Sequence, residues 1–277
     1  MSELRELLDT HDEKINELER KFSGYVFNVD KSAIRNWLKL FGAENFSLGL
    51  KLLDYVDYYD PSRLVRESIQ LHNQLLAYKA FDNDQLISKQ MFFIDFSPTS
   101  GKSQDEFIPK YRLGSNLRYD RYDKNFIYFR DVPRFMRKKG VILVFLTDFI
   151  GSGKEVIGNW FDIVWALSNQ NEHILLALCG YDSAIRKIEK ITKDRLTIIM
   201  NKRYSDTHKI FSPQNTNFTN EEKQKLLDLC KQAGKKPTGF RNTQATTIFY
   251  FRCPNSTISI LRARNRNWKG LFKRHLE

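Results

Sequence analysis

Apolar positions fall into two regimes along this chain. In the first part they recur at three- and four-residue spacing. Leu4, Leu7, Leu8, Ile15 and Leu18 form a stripe over residues 4–21, and residues 31–41, 46–58 and 62–81 keep the same period. That period predicts four amphipathic helices, with Pro61 at the break before the last. From Met91 onward, short apolar runs alternate with helical stretches. Residues 91–96, 141–146, 173–179, 196–200 and 246–251 read as strands. Helices are expected over 154–169, 183–192 and 221–233, the last with Thr219 and Asn220 as N-cap ahead of Glu221 and Glu222. Such alternation predicts the α/β class, a mostly parallel sheet flanked by helices with right-handed crossovers. A helical region over 1–85 would cap an α/β domain over 86–277. The helical part is also compatible with a helix-turn-helix, although no residue in it points to reading DNA.

The candidate chemistry concentrates in VILVFLTDFIGSGKEV, from Val141 to Val156. An apolar strand ends at Asp148, enters the turn Gly151-Ser152-Gly153 and opens a helix at Lys154. Backbone N–H groups converge in such a turn, glycine permits close approach, and the helix dipole favours an anion. A carboxylate just ahead of it can reach ribose hydroxyls or a magnesium ion. A P-loop is excluded, because Asp148 stands at its first glycine and Glu155 where the magnesium-binding hydroxyl belongs. A dinucleotide fingerprint is excluded because Val156 replaces its third glycine. A plain βα turn, with Gly153 only letting the helix start close to the sheet, is the alternative.

The segment resembles the sugar-phosphate loop of type I phosphoribosyltransferases. Thr147 and Asp148 stand in the two acidic positions, and Gly151, Ser152, Gly153 and Lys154 form the loop. The resemblance implies that Asp148 holds ribose hydroxyls, with Mg2+ as its metal, and that the loop holds a 5′-phosphate. Thr147 in place of the first acid, and Gly151 where some of these enzymes carry a base, carry over the phosphate cradle better than the catalysis. A second small loop, Ser100, Gly101, Lys102 and Ser103, follows an earlier strand, where that family binds pyrophosphate. Further likenesses are Ile34, Trp37, Leu38 and Phe41 near the start, and Pro254, Asn255, Trp268, Leu271, Phe272 and Arg274 near the end. Together these are similar to the phosphoribosyltransferase-like domains of prokaryotic conflict and defence systems. Some of those accompany retron reverse transcriptases. The resemblance therefore implies a toxic effector that takes phosphoribosyl pyrophosphate or a nucleotide and is held by a ribonucleoprotein, such as a reverse transcriptase with its RNA–DNA product. Whether it is an enzyme at the ribose 1-position or a binding module on the same scaffold stays open.

Charge adds a second theme. Lys and Arg number 45 against 33 Asp and Glu, a formal +12, which suits a polyanionic partner. Arg130, Arg134, Arg137, Lys138 and Lys139 lie among Tyr119, Tyr122, Tyr128 and Phe129, and a second cluster surrounds Trp268. Cations that neutralise phosphates beside aromatics that stack bases are candidates for nucleic-acid binding. A solvated basic face with its aromatics turned inward is the alternative. Cys179, Cys230 and Cys253 show no metal-ligand spacing, which suits reduced thiols. No apolar run approaches the ~18 residues of a membrane span, so a cytoplasmic location is expected.

Overall fold

The computed structural model describes residues 2–79, 84–96, 104–117, 119–135 and 138–274. In chain order it contains α1 (Ser2–Thr10), α2 (Asp12–Lys21), α3 (Lys31–Leu38), α4 (Phe46–Tyr55), β1 (Asp57–Tyr59), α5 (Pro61–Lys79), α6 (Asp84–Gln90), β2 (Met91–Asp95), α7 (Gln104–Gly114), α8 (Tyr119–Tyr122), β3 (Phe126–Ile127), β4 (Ile142–Ile150), α9 (Lys154–Ile163), β5 (Glu172–Tyr181), α10 (Asp182–Thr192), β6 (Thr197–Tyr204), α11 (Asn220–Ala233), β7 (Thr247–Phe249) and α12 (Ser259–Arg262). A 3-10 segment, Phe129–Phe135, leads from β3 towards β4. Two compact units result: Ser62–Ser205, and Met1–Pro61 together with Asp206–Glu277. They are drawn differently from the boundary expected at residue 85. Helices α1 to α4 group with the C-terminal segment, whereas α5 belongs almost wholly with the sheet.

The contiguous unit is built on a five-stranded, all-parallel sheet in the order β3-β2-β4-β5-β6. Continuous apolar runs dictate this. Leu143 to Leu146 on β4 and Ile174 to Cys179 on β5 are buried, as strands covered on both faces must be. Register assigns the faces. Phe93 pairs with Val144 and meets His72 of α5 and Tyr111 of α7. Leu143 pairs with His173, which meets Trp160 of α9 from the other side. Taken in chain order, the strands run 2-1-3-4-5, so the winding reverses between β2 and β4. In open α/β sheets ligands bind beyond the carboxyl ends of the strands at that reversal.

In the discontinuous unit β1 and β7 form a separate parallel pair, Tyr58 opposite Ile248. This corrects the expectation that residues 246–251 join the main sheet. After Phe249 the chain turns back on itself, with Phe249 and Arg252 exchanging backbone hydrogen bonds. Three paired residues suffice for a short edge, and an apolar run alone does not say which sheet it enters. The core gathers two distant parts of the sequence. Trp37 and Trp268 both donate their indole N–H to the Ile260 carbonyl, at 3.1 and 2.9 Å. Phe22 packs edge-on against Phe272 with ring centroids 4.9 Å apart. The first and last sequence likenesses are therefore one packing unit.

Candidate functional site

Strand β4 runs to Ile150, four residues beyond its expected end, so Thr147 and Asp148 lie within the sheet. Thr147 faces the α9 side and Asp148 the α5–α7 side. Asp148 is 1% exposed and Thr147 7%. Gly180 on β5 permits the strand end to sit where it does. A Cβ there would lie 2.7 Å from the Ile150 Cβ and 2.8 Å from its carbonyl oxygen. The turn follows at the carboxyl edge. Gly151 and Ser152 are half-buried, Gly153 is buried and Lys154 is exposed. Gly153 has φ +72 and serves as N-cap of α9 without any side-chain cap. A Cβ on Gly153 would come within 3.3 Å of the Ala184 carbonyl of α10, so the glycine also seats this helix against its neighbour. The phosphate cradle and the plain packing turn thus describe the same atoms.

The second loop, Ser100 to Ser103, lies outside the described residues. Its leading flank is well placed. The Phe96 amide donates to Leu146 O at 3.2 Å, so β2 ends beside β4 at the reversal. The Phe96 carbonyl in turn accepts from Asn159 Nδ2 of α9 at 2.6 Å. That buried amide ties the end of β2 to the helix that follows the main turn, and no sequence pattern drew attention to it. Asp95 was missed as well. Register sets it opposite Leu146, on the same face as Asp148 two residues further on, with the two Cα atoms about 8 Å apart from strand spacing and rise. The signal was legible: FFID closes its apolar run on an acid just as VFLTD does.

The basic patch is divided. Arg130, Arg134, Lys138 and Lys139 are exposed, and Arg137 lies outside the described residues. Arg130 sits 5.1 Å over the ring of Tyr128, itself 66% exposed. Arg134 pairs with Asp131 at 3.2 Å, and Lys138 lies over Phe135 and Phe92. Of the aromatics whose side chains are described, Tyr122 and Phe129 turn inward, as in the inward-facing alternative, and Tyr128 is exposed. Trp268 is likewise core.

Nucleophilic alternatives are weak among the described residues. Burial pushes the Cys230 thiol up to about 12 and that of Cys253 up to about 11, and Cys179 is also buried, so none is a ready thiolate. No group of three or more His, Cys, Asp or Glu there could hold a metal. Magnesium is bound by one or two carboxylates together with substrate phosphates rather than by an all-protein cage. Asp148 and Asp95 are the carboxylates on this face that an ion arriving with a phosphorylated ligand would meet.

A family model, PRTase-CE, matches residues 34–274. The chain belongs to the PRTase-CE family. Among curated proteins none matches. The PRTase-CE match takes in the Trp37 and Trp268 core as well as β4 and the turn after it, and establishes a phosphoribosyltransferase-like domain. Among the described residues no helix is long and apolar enough to cross a membrane.

Proposed function

We propose that this PRTase-CE protein is a phosphoribosyltransferase-like effector of an antiviral defence system of the retron type. It takes phosphoribosyl pyrophosphate or a nucleotide at residues 151–154, acts in the cytoplasm and is held by a ribonucleoprotein partner, which meets Arg130, Arg134, Arg137, Lys138 and Lys139. One observation carries the ligand reading: a glycine-capped turn, whose Ser152 Oγ reaches only the Lys154 amide at 3.5 Å, opens α9 at the carboxyl end of β4, beside the reversal of the sheet. There the first amides of the helix and its dipole favour phosphate. Ser100, Gly101, Lys102 and Ser103 would supply contacts to a second phosphate, and Asp148 would hold a Mg2+ ion that arrives with the ligand and would offset phosphate charge. Chemistry at the ribose 1-position, transfer or cleavage, is the activity such a ligand allows.

A second reading, binding without catalysis, is favoured by the enclosure of Asp148 and by the hydroxyl of Thr147 in place of an acid. Titration calorimetry with phosphoribosyl pyrophosphate and with nucleoside phosphates tests the site. Lys154→Glu puts an anion at an exposed helix N-terminus, which suits the helix but repels the ligand. It should weaken binding about tenfold, about 1.4 kcal/mol, without lowering the melting temperature. Unchanged affinity in Lys154→Glu would remove the site. Binding that persists in Asp148→Asn with no turnover in either protein favours the second reading.

A further inference from the structure

A cleft of about 780 Å³ opens in the discontinuous unit, well away in sequence from the turn after β4. Lys231, Lys235, Lys236, Arg262, Arg264 and Arg274 line it, and among the described residues no carboxylate does. A smaller hollow of about 150 Å³ shares Arg262, Arg264 and Arg274 and adds Lys269 and Lys273. The cations therefore continue as one track through both hollows. Lys231 pairs with Asp228 at 2.8 Å, yet the lining as a whole keeps an excess of positive charge that a bound polyanion would offset.

The walls are held rigidly. The carbonyls of Gln232 and Ala233, at the negative end of α11, both accept from Asn265 Nδ2 at 3.1 and 2.9 Å. These bonds satisfy the end that would otherwise repel an anion. Asn265 Oδ1 also accepts from the Asn267 and Trp268 amides, which fixes the turn of the tail. Trp268 anchors that turn in the core through its bond to Ile260 O. At the cleft wall Phe240 is half-buried, with Lys236 5.4 Å and Arg241 5.9 Å over its ring. An aromatic face among cations suits a base beside its phosphate.

We infer that this cleft binds a single strand of nucleic acid, its backbone along the arginine and lysine track and a base against Phe240. Phe240 favours a strand whose bases are unpaired over a duplex, whose bases are already stacked on one another, and the cations that continue past Arg274 offer charge for more than one phosphate. The inference rests on the ribonucleoprotein reading and names a surface for it apart from the patch at residues 130–139.

The test is fluorescence anisotropy on the full chain with labelled oligo-dT and oligo-rU of about 20 nucleotides, the matching duplex, and free ATP as competitor. Reversing Lys235, Lys236 and Arg264 to Glu should weaken single-strand binding at least tenfold. It should also lower the salt slope by about 2, at about 0.7 for each phosphate no longer neutralised. Reversing Arg186, Lys187 and Lys190 on α10 changes net charge equally and should leave both nearly unchanged. Equal losses in the two triple variants, or none in the first, overturn the cleft. Preference for duplex, or displacement by ATP at the affinity of the oligonucleotide, overturns the single strand as occupant. If reversing Arg130, Arg134 and Lys138 abolishes binding while the cleft variant binds normally, the ribonucleoprotein reading stands without this surface.

Discussion

His173 opens β5 with its ring enclosed beside Trp160 and its Nδ1 3.2 Å from the Arg195 carbonyl. A carbonyl only accepts, so Nδ1 carries the proton, and Nε2 is buried without a partner. Burial lowers its pKa from 6.5 to about 4, only partly opposed by that hydrogen bond. The folded ring therefore stays neutral where the unfolded chain already takes up a proton. Stability present above about pH 6.5 is lost as pH falls towards 4, by up to about 3 kcal/mol. Between pH 7.5 and 4.5 the melting temperature of the native protein should fall more steeply than that of His173→Phe. Parallel curves would assign the acid sensitivity to other groups. Single residues were the least legible scale in the sequence. His173 stood among five histidines without a motif, and Asn159 gained meaning only when the ends of β2 and β4 met, whereas the acid closing FFID was there to be read.

At the scale of elements, strand, turn and helix were readable because the apolar run, the glycines and the helical period agree over residues 141–164. What was not readable is the length of β4. The apolar run stops at Leu146 and the strand was expected to end by Asp148, yet pairing with β5 continues to Ile150, since polar residues can stay in a central strand when neighbours enclose them. The capping box of α11 was fully legible: Thr219 Oγ1 accepts from the Glu222 amide, and the Glu222 carboxylate accepts from the Thr219 amide. Gly153 combines a left-handed backbone with contact to Ala184. Gly153→Ala should therefore cost about 1–2 kcal/mol in urea unfolding, even with no ligand present. Unaltered stability would contradict the positive φ. It follows that lost binding in a Gly153 variant reports folding as much as recognition, whereas Lys154→Glu separates the two.

At the scale of the whole molecule, class and sheet direction were legible and the grouping of segments was not. Helical period in residues 4–58 says that each helix buries a face, but not that the partner face arrives from residues 206–277. The proposed effector role is tested here too. Expression of the chain alone should slow growth, and co-expression of an adjacent reverse transcriptase with its RNA should restore it. Growth curves with profiling of phosphoribosyl and nucleotide pools check this. Relief by Asp148→Ala ties the effect to ribose chemistry, and normal growth throughout would end the effector reading.

The unit built from both flanks of the chain also sets a timetable. On the ribosome, Met1–Pro61 emerges long before Asp206–Glu277. At ordinary rates of synthesis, the 216 residues from 61 to 277 occupy about 10–40 s. Throughout that interval Trp37 and Phe22 lack Trp268 and Phe272, whereas the sheet of residues 62–205 has all of its strands before the last of the C-terminal segment is made. The half-made protein thus exposes aromatic surface that only its own last residues can cover.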